Sequence, residues 1–176
     1  LLSMIKFTFK SGFGNDITVT IDNLNVSGMI SKGDYTGNTE NWALGSETVS
    51  PGAAFTEMSS NTAVNQSSGN TSASSVDFAV IPQEIGGAGK TVTISFDVWV
   101  QDNSGNNIIG TKDGAGVNVS ATLPAYTWTA GNRYNYTVTI NGGHVGLYPI
   151  EFGAPNVTGI TNANFDGSDD IVLPTI

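Results

Sequence analysis

Tyr126-Thr-Trp-Thr-Ala-Gly-Asn-Arg-Tyr-Asn-Tyr-Thr-Val-Thr-Ile140 reads as a turn followed by a strand. Ala130-Gly131-Asn132 supplies residues that tolerate positive φ. Beyond it, Tyr134, Tyr136, Val138 and Ile140 alternate with Arg133, Asn135, Thr137 and Thr139. A period of two marks a half-buried strand with its aromatic face turned inward. Trp128, just ahead of the turn, is then expected to lie over one end of the core.

The same alternation recurs along the chain. Ile5, Phe7 and Phe9 alternate with Lys6, Thr8 and Lys10, and after Gly12-Phe-Gly-Asn15 a second run sets Ile17, Val19 and Ile21 against Thr18, Thr20 and Asp22. Leu24 and Val26 continue that run across a bulge, and the two segments are expected to form a hairpin or neighbouring strands. Phe78, Val80 and Ile81 lead into Pro82, which lacks a ladder donor and so ends its strand or lies at an edge. Gly86-Gly-Ala-Gly89 is a turn. Val92, Ile94, Phe96, Val98 and Val100 then face in, with Thr91, Thr93, Ser95, Asp97 and Trp99 facing out. Asp102-Asn-Ser-Gly-Asn106 is a hairpin turn, and Val117, Val119, Ala121 and Leu123 form another alternating strand. Asn141-Gly-Gly143 signals a further hairpin, followed by Val145, Leu147, Ile150 and Phe152.

Between Ser31 and about Ser75 the pattern fades into a long irregular loop rich in Gly, Ser, Thr and Asn, with weak strands near 42–45 and 53–57. No segment carries a sustained helical period. The expected fold is all-β, an antiparallel sandwich of the transthyretin-like or Greek-key type. One domain is expected over 1–165, and 166–176 form a tail.

Composition narrows the function. Of 176 residues, 39% are hydrophobic and only 12% charged, against about 25% charged in an average soluble domain. Six basic residues in a chain of net charge −9 cannot build a phosphate-tracking stripe, which argues against nucleic acid and anionic membranes as partners. There are no cysteines, hence no disulfides or thiolate chemistry. No stretch approaches the roughly 18 apolar residues of a membrane span. No signal peptide is recognisable and Leu1 already sits inside a strand pattern, so the sequence is expected to be a processed or trimmed product.

A search for catalytic residues returns none. His144 is the single histidine and follows a hairpin turn, so no zinc site or Ser/His/Asp set can be assembled around it. Gly86-Gly-Ala-Gly89 opens no helix and does not cradle phosphate. Asp102-Asn-Ser-Gly-Asn106 and Asp166-Gly-Ser-Asp-Asp170 are oxygen-rich, but lack the twelve-residue calcium-loop spacing; Asx turns use the same residues. Neither an enzyme nor a cofactor is expected.

Two features could carry binding. Trp99 falls on the polar face of its strand, where it is either exposed to stack on a sugar or protein, or covered by a loop such as 31–75. The chain ends in Ile171-Val-Leu-Pro-Thr-Ile176 behind an acidic linker. This is either a last edge strand of the same domain or a strand that leaves its subunit, in which case Ile171 and Leu173 would enter a partner's groove, with Val172 on the other face and Ile176 beyond Pro174.

Trp128, Ala130-Gly131, Tyr134 and Tyr136 with their alternating strand resemble the C-terminal domain of Bacteroidales fimbrillins, the type V pilus subunits. Leu1–Phe9, Phe78-Ala-Val-Ile-Pro-Gln83 and Ile150-Glu-Phe152 fit the same pattern in the same order. The resemblance implies a structural or adhesive subunit of a fimbria at the bacterial surface, partnered by other fimbrial subunits. It also implies an outer-membrane lipoprotein precursor that loses an N-terminal strand by proteolysis. A strand of the next subunit fills the groove so opened, for which Ile171, Val172, Leu173 and Ile176 are the candidate donors. Complete fimbrillins carry two sandwich domains, and this chain resembles the second. The alternative is a monomeric carbohydrate-binding or adhesin sandwich that contacts a host or bacterial surface ligand through Trp99, Trp42 or the long loop.

Overall fold

The computed structural model describes residues 1–14, 16–37, 41–50, 62–64, 75–110, 116–140 and 154–159. Thirteen strands and no helix appear among them. In chain order these are β1 (Ser3–Ser11), β2 (Ile17–Ser27), β3 (Gly33–Thr36), β4 (Asn41–Leu44), β5 (Thr62–Val64), β6 (Ser75–Val80) and β7 (Gln83–Ile85). There follow β8 (Thr93–Asp102), β9 (Asn107–Ile109), β10 (Val117–Thr122), β11 (Tyr126–Trp128), β12 (Asn132–Ile140) and β13 (Asn156–Gly159).

Alternating apolar side chains give each long strand one face to hide, and two sheets stacked face to face hide them all. One sheet runs β13-β12-β1-β6, and the other runs β10-β8-β2-β5 with β9 also on β8. Ile5, Phe7, Phe9, Tyr134, Tyr136, Val138 and Ile140 point from the first sheet into a shared core, each at most 1% exposed. Val19, Ile21, Ile94, Phe96, Val98 and Val100 meet them from the second, all at 0%. Phe9 and Phe96 touch edge to face across the interface, ring centroids 5.1 Å apart. Fully burying a side chain of this size is worth about 1.5–3 kcal/mol, so this core dominates the stability of the fold.

The bulge in β2 lies where Asn23, at φ 52°, breaks the register between Asp22 and Asn25. The slip returns Leu24 and Val26 to the core face, 1% and 0% exposed. Asn23 Nδ2 in turn donates to Asp97 Oδ2 on β8 at 2.7 Å.

Neighbour choice departs from expectation. β1 and β2 do not pair; they lie in opposite sheets, and the short segment between them crosses from one layer to the other. β1 pairs instead with β12, in parallel, from Met4 opposite Arg133 to Ser11 opposite Ile140. The remaining pairs are antiparallel. The region from Ser31 is also more ordered than its composition suggests. β3 and β4 form a hairpin and β5 adds to β2. The strand expected near 42–45 is β4, whereas that near 53–57 lies outside the described residues, as do the 141–143 turn, His144 and Ile150-Glu-Phe152.

Candidate functional site

Assembly and adhesion use surfaces, so the relevant geometry is that of open edges, exposed apolar residues and ordered turns. Among the described residues, β13 and β6 end the first sheet, and β10 and β5 end the second. Such edges present unpaired N–H and C=O groups to any strand that can reach them. Pro82 lies two residues beyond the end of β6, in the break before β7. The candidate donor residues Ile171, Val172, Leu173 and Ile176 lie outside the described residues.

Trp99 is not an exposed contact. It stands on the outer face of β8, as parity requires, yet it is only 3% exposed. The cause is across the sheet: a Cβ on Gly116 would come within 2.9 Å of the indole Cε2 and Cζ2. The missing side chain leaves room for the ring beside the start of β10. Trp99 Nε1 has no hydrogen-bond partner among the described residues. Arg133, also expected to face outward, is 1% exposed, with Nε 3.7 Å from Asp77 Oδ1.

A different aromatic pair reaches the surface, with Tyr35 exposed and Trp42 half-buried. On the β3–β4 hairpin Tyr35 sits opposite Trp42, ring centroids 5.2 Å apart and planes inclined by 46°. Tyr35 is 43% exposed and Leu44, two residues from Trp42, is 42%. Trp42 Nε1 donates to the carbonyl of Leu1 at 3.0 Å, which fixes the ring against the segment leading into β1. Sequence reasoning named Trp42 but missed Tyr35. The signal was present in the alternation Gly33, Tyr35 against Asp34, Thr36, mirrored by Trp42, Leu44 against Asn41, Ala43.

The Asp102 turn follows the Asx reading. Its Oδ1 accepts from the backbone N–H groups of Ser104 at 2.9 Å and Asn106 at 2.8 Å, and Oδ2 accepts from Asn106 Nδ2 at 2.8 Å. Gly105 supplies the positive φ of 80° that closes the turn. Donation from the Asn106 side chain, then from its backbone, holds the Asp102 carboxyl below its ordinary 3.8. The ionised form is therefore favoured in the folded turn. Its contribution is present above the unfolded value and is lost as pH falls through the lowered one. In NMR titrations the Ser104 and Asn106 amide protons are expected to shift together with a midpoint below 3.8. Asp102→Asn is expected to abolish that titration, and a midpoint at or above the ordinary value would refute the turn geometry. Among the described residues no group of three or more His, Cys, Asp or Glu could hold a metal ion. No helix among them is long and apolar enough to cross a membrane.

The family model for fimbrillin-like proteins matches residues 1–159, most of the chain. The chain belongs to the fimbrillin-like family. This bears out the resemblance carried by the Trp128–Ile140 stretch, and the family is one of structural subunits rather than enzymes. No curated protein sequence matches the chain. Among solved structures, a fimbrial protein from Bacteroides vulgatus is similar over 91% of this chain and 54% of its own, at 16% identity and a TM-score of 0.55. A candidate cell adhesion protein from Bacteroides ovatus aligns over 93% of this chain and 46% of its own, at 11% identity and a TM-score of 0.47. The chain spans about half the length of these structures. At such identities the first likeness speaks for the fold alone.

Proposed function

We propose that this fimbrillin-like chain is part of a subunit of a bacterial cell-surface fimbria, polymerising by strand addition, with a role in adhesion. The observation that carries the reading is the family match over residues 1–159. The sandwich supplies the rigid body such a subunit needs, and its sheet ends supply edges to which a strand can add. In this reading a lipoprotein precursor reaches the outer membrane and proteolysis removes an N-terminal strand. The strand that carries Ile171, Val172, Leu173 and Ile176 in one subunit then adds to the groove opened in the next, with Ile171 and Leu173 facing in and Val172 on the other face. Two or three such side chains at about 1.5–3 kcal/mol each, with ladder hydrogen bonds, would make a durable joint. Pro174 limits the inserted ladder, since it has no N–H to donate.

Deleting residues 170–176 tests the joint. Unheated SDS gels and negative-stain images of the mature subunit are expected to show ladders or filaments that the deletion abolishes. A protein that remains polymeric without these residues would remove the tail from the mechanism. One that is monomeric in both forms would remove polymerisation as well.

A further inference from the structure

Among the large hydrophobic residues exposed in the described part, Tyr35 and Leu44 stand on the β3–β4 hairpin, and Leu1 holds Trp42 through its carbonyl. Between this hairpin and Ile81 lies an open groove of about 630 Å³, lined by Ser31, Lys32, Asp34, Trp42, Leu44 and Ile81 among others. Small-molecule sites commonly fall between about 300 and 1,000 Å³. Trp42 is held in this groove rather than folded into the core, steered by its hydrogen bond to Leu1 and by the ring of Tyr35.

We infer that this groove binds a neutral oligosaccharide, with Trp42 as the stacking platform. An aromatic face wants an apolar partner and the rim wants hydroxyls, and a pyranose ring offers both in one residue. Charge disfavours an anionic or a wholly apolar occupant, and the titration separates a cationic one. The Lys32 ammonium pairs with Glu47 at 2.7 Å on the open surface, which offsets but does not remove its charge. That leaves the Asp34 carboxylate, which makes no hydrogen bond or ion pair among the described residues, as the uncompensated charge at the groove. An anionic ligand would be repelled there, in a chain of net charge −9. An apolar ligand would cover the carboxylate and give it no donor. Sugar hydroxyls donate to it at no cost in charge. The site is independent of the strand-addition reading, because it uses neither a sheet edge nor the tail.

Fluorescence makes the test direct. Of the three tryptophans, Trp99 and Trp128 are 3% and 0% exposed, so a ligand-induced change in emission reports on Trp42. The protein is titrated with mannotetraose, laminaritetraose, chitotetraose and N-acetyllactosamine, with sialyllactose as the anionic control and tetralysine as the cationic one. At least one neutral sugar is expected to saturate with Kd of about 0.1–1 mM, and sialyllactose is not. Measured by calorimetry, Trp42→Ala is expected to weaken binding by about tenfold or more and Asp34→Asn by several-fold. Asp34 is solvent-exposed, so its variant keeps the test valid if Trp42→Ala disturbs the hairpin. The inference is overturned if no neutral sugar saturates below about 10 mM, or if both variants bind like the parent. Equal binding of sialyllactose, or tighter binding of tetralysine than of any neutral sugar, overturns it too.

Discussion

Trp128→Ala is expected to destabilise the folded chain by about 3–5 kcal/mol in urea unfolding, a large part of the stability of a domain this size. The indole is 0% exposed at the end of β11 and belongs to the core cluster. Its loss would open a cavity that neighbouring backbone cannot fill, because three hydrogen bonds pin that backbone. Thr129 N donates to the Tyr134 phenol oxygen at 2.6 Å, Ser3 Oγ donates to Thr129 O at 2.8 Å, and Gly131 N donates to Leu2 O at 2.9 Å. The substitution also removes the donor that reaches the Tyr136 phenol oxygen at 3.0 Å. Burial pushes that phenol up to about 12, with the Trp128 hydrogen bond pulling the other way. Trp128→Phe keeps a ring and loses the donor, and is expected to fall between parent and alanine. A loss below about 1.5 kcal/mol for Trp128→Ala would mean that the indole does not close the core.

The same stretch shows what a sequence of this kind discloses. Tyr134, Tyr136, Val138 and Ile140 are buried as their period requires, and so are the inward residues of β1, β2, β8 and β10, save Ile17 and Val117, which open their strands half-buried. Period two states which side of a strand is hidden, because hiding depends on the strand's own composition. It does not state which strand lies alongside. Ile5 would suit the face of β2 as well as that of β12, and only the packing of the whole chain places it beside Tyr134. Burial on the outer faces is non-local in the same way. Trp99 is covered because Gly116, distant in sequence, has no side chain to hold the ring away. Arg133 is buried although its parity is outward. The aromatic pair was half legible: Trp42 was singled out, but Tyr35 became its partner only when β3 and β4 closed into a hairpin.

Gly28→Ala is the second large effect, expected at about 3–5 kcal/mol by urea unfolding. Gly28 follows β2 with φ +88°, where an L side chain alone costs about 1–2 kcal/mol. The greater part is steric, since a Cβ would overlap the Thr91 carbonyl oxygen and press within 3.2 Å of its carbon. Thr91 cannot easily retreat. Val92 beside it is 0% exposed, and its carbonyl accepts from Leu123 N at 2.9 Å. Gly105→Ala separates the two causes, for Gly105 has φ +80° and nothing within 4 Å of its would-be Cβ. It should cost only about 1–2 kcal/mol. Equal losses in the two variants would refute the close approach at Thr91. The strain also bears on the candidate sugar site. Gly28 N donates to Val49 O and Val49 N to Met29 O, each at 2.8 Å, so this glycine ties the segment leaving the β3–β4 hairpin to the end of β2. If the hairpin owes its position to that tie, Gly28→Ala should change Trp42 emission at denaturant concentrations too low to unfold the core, and Gly105→Ala should not.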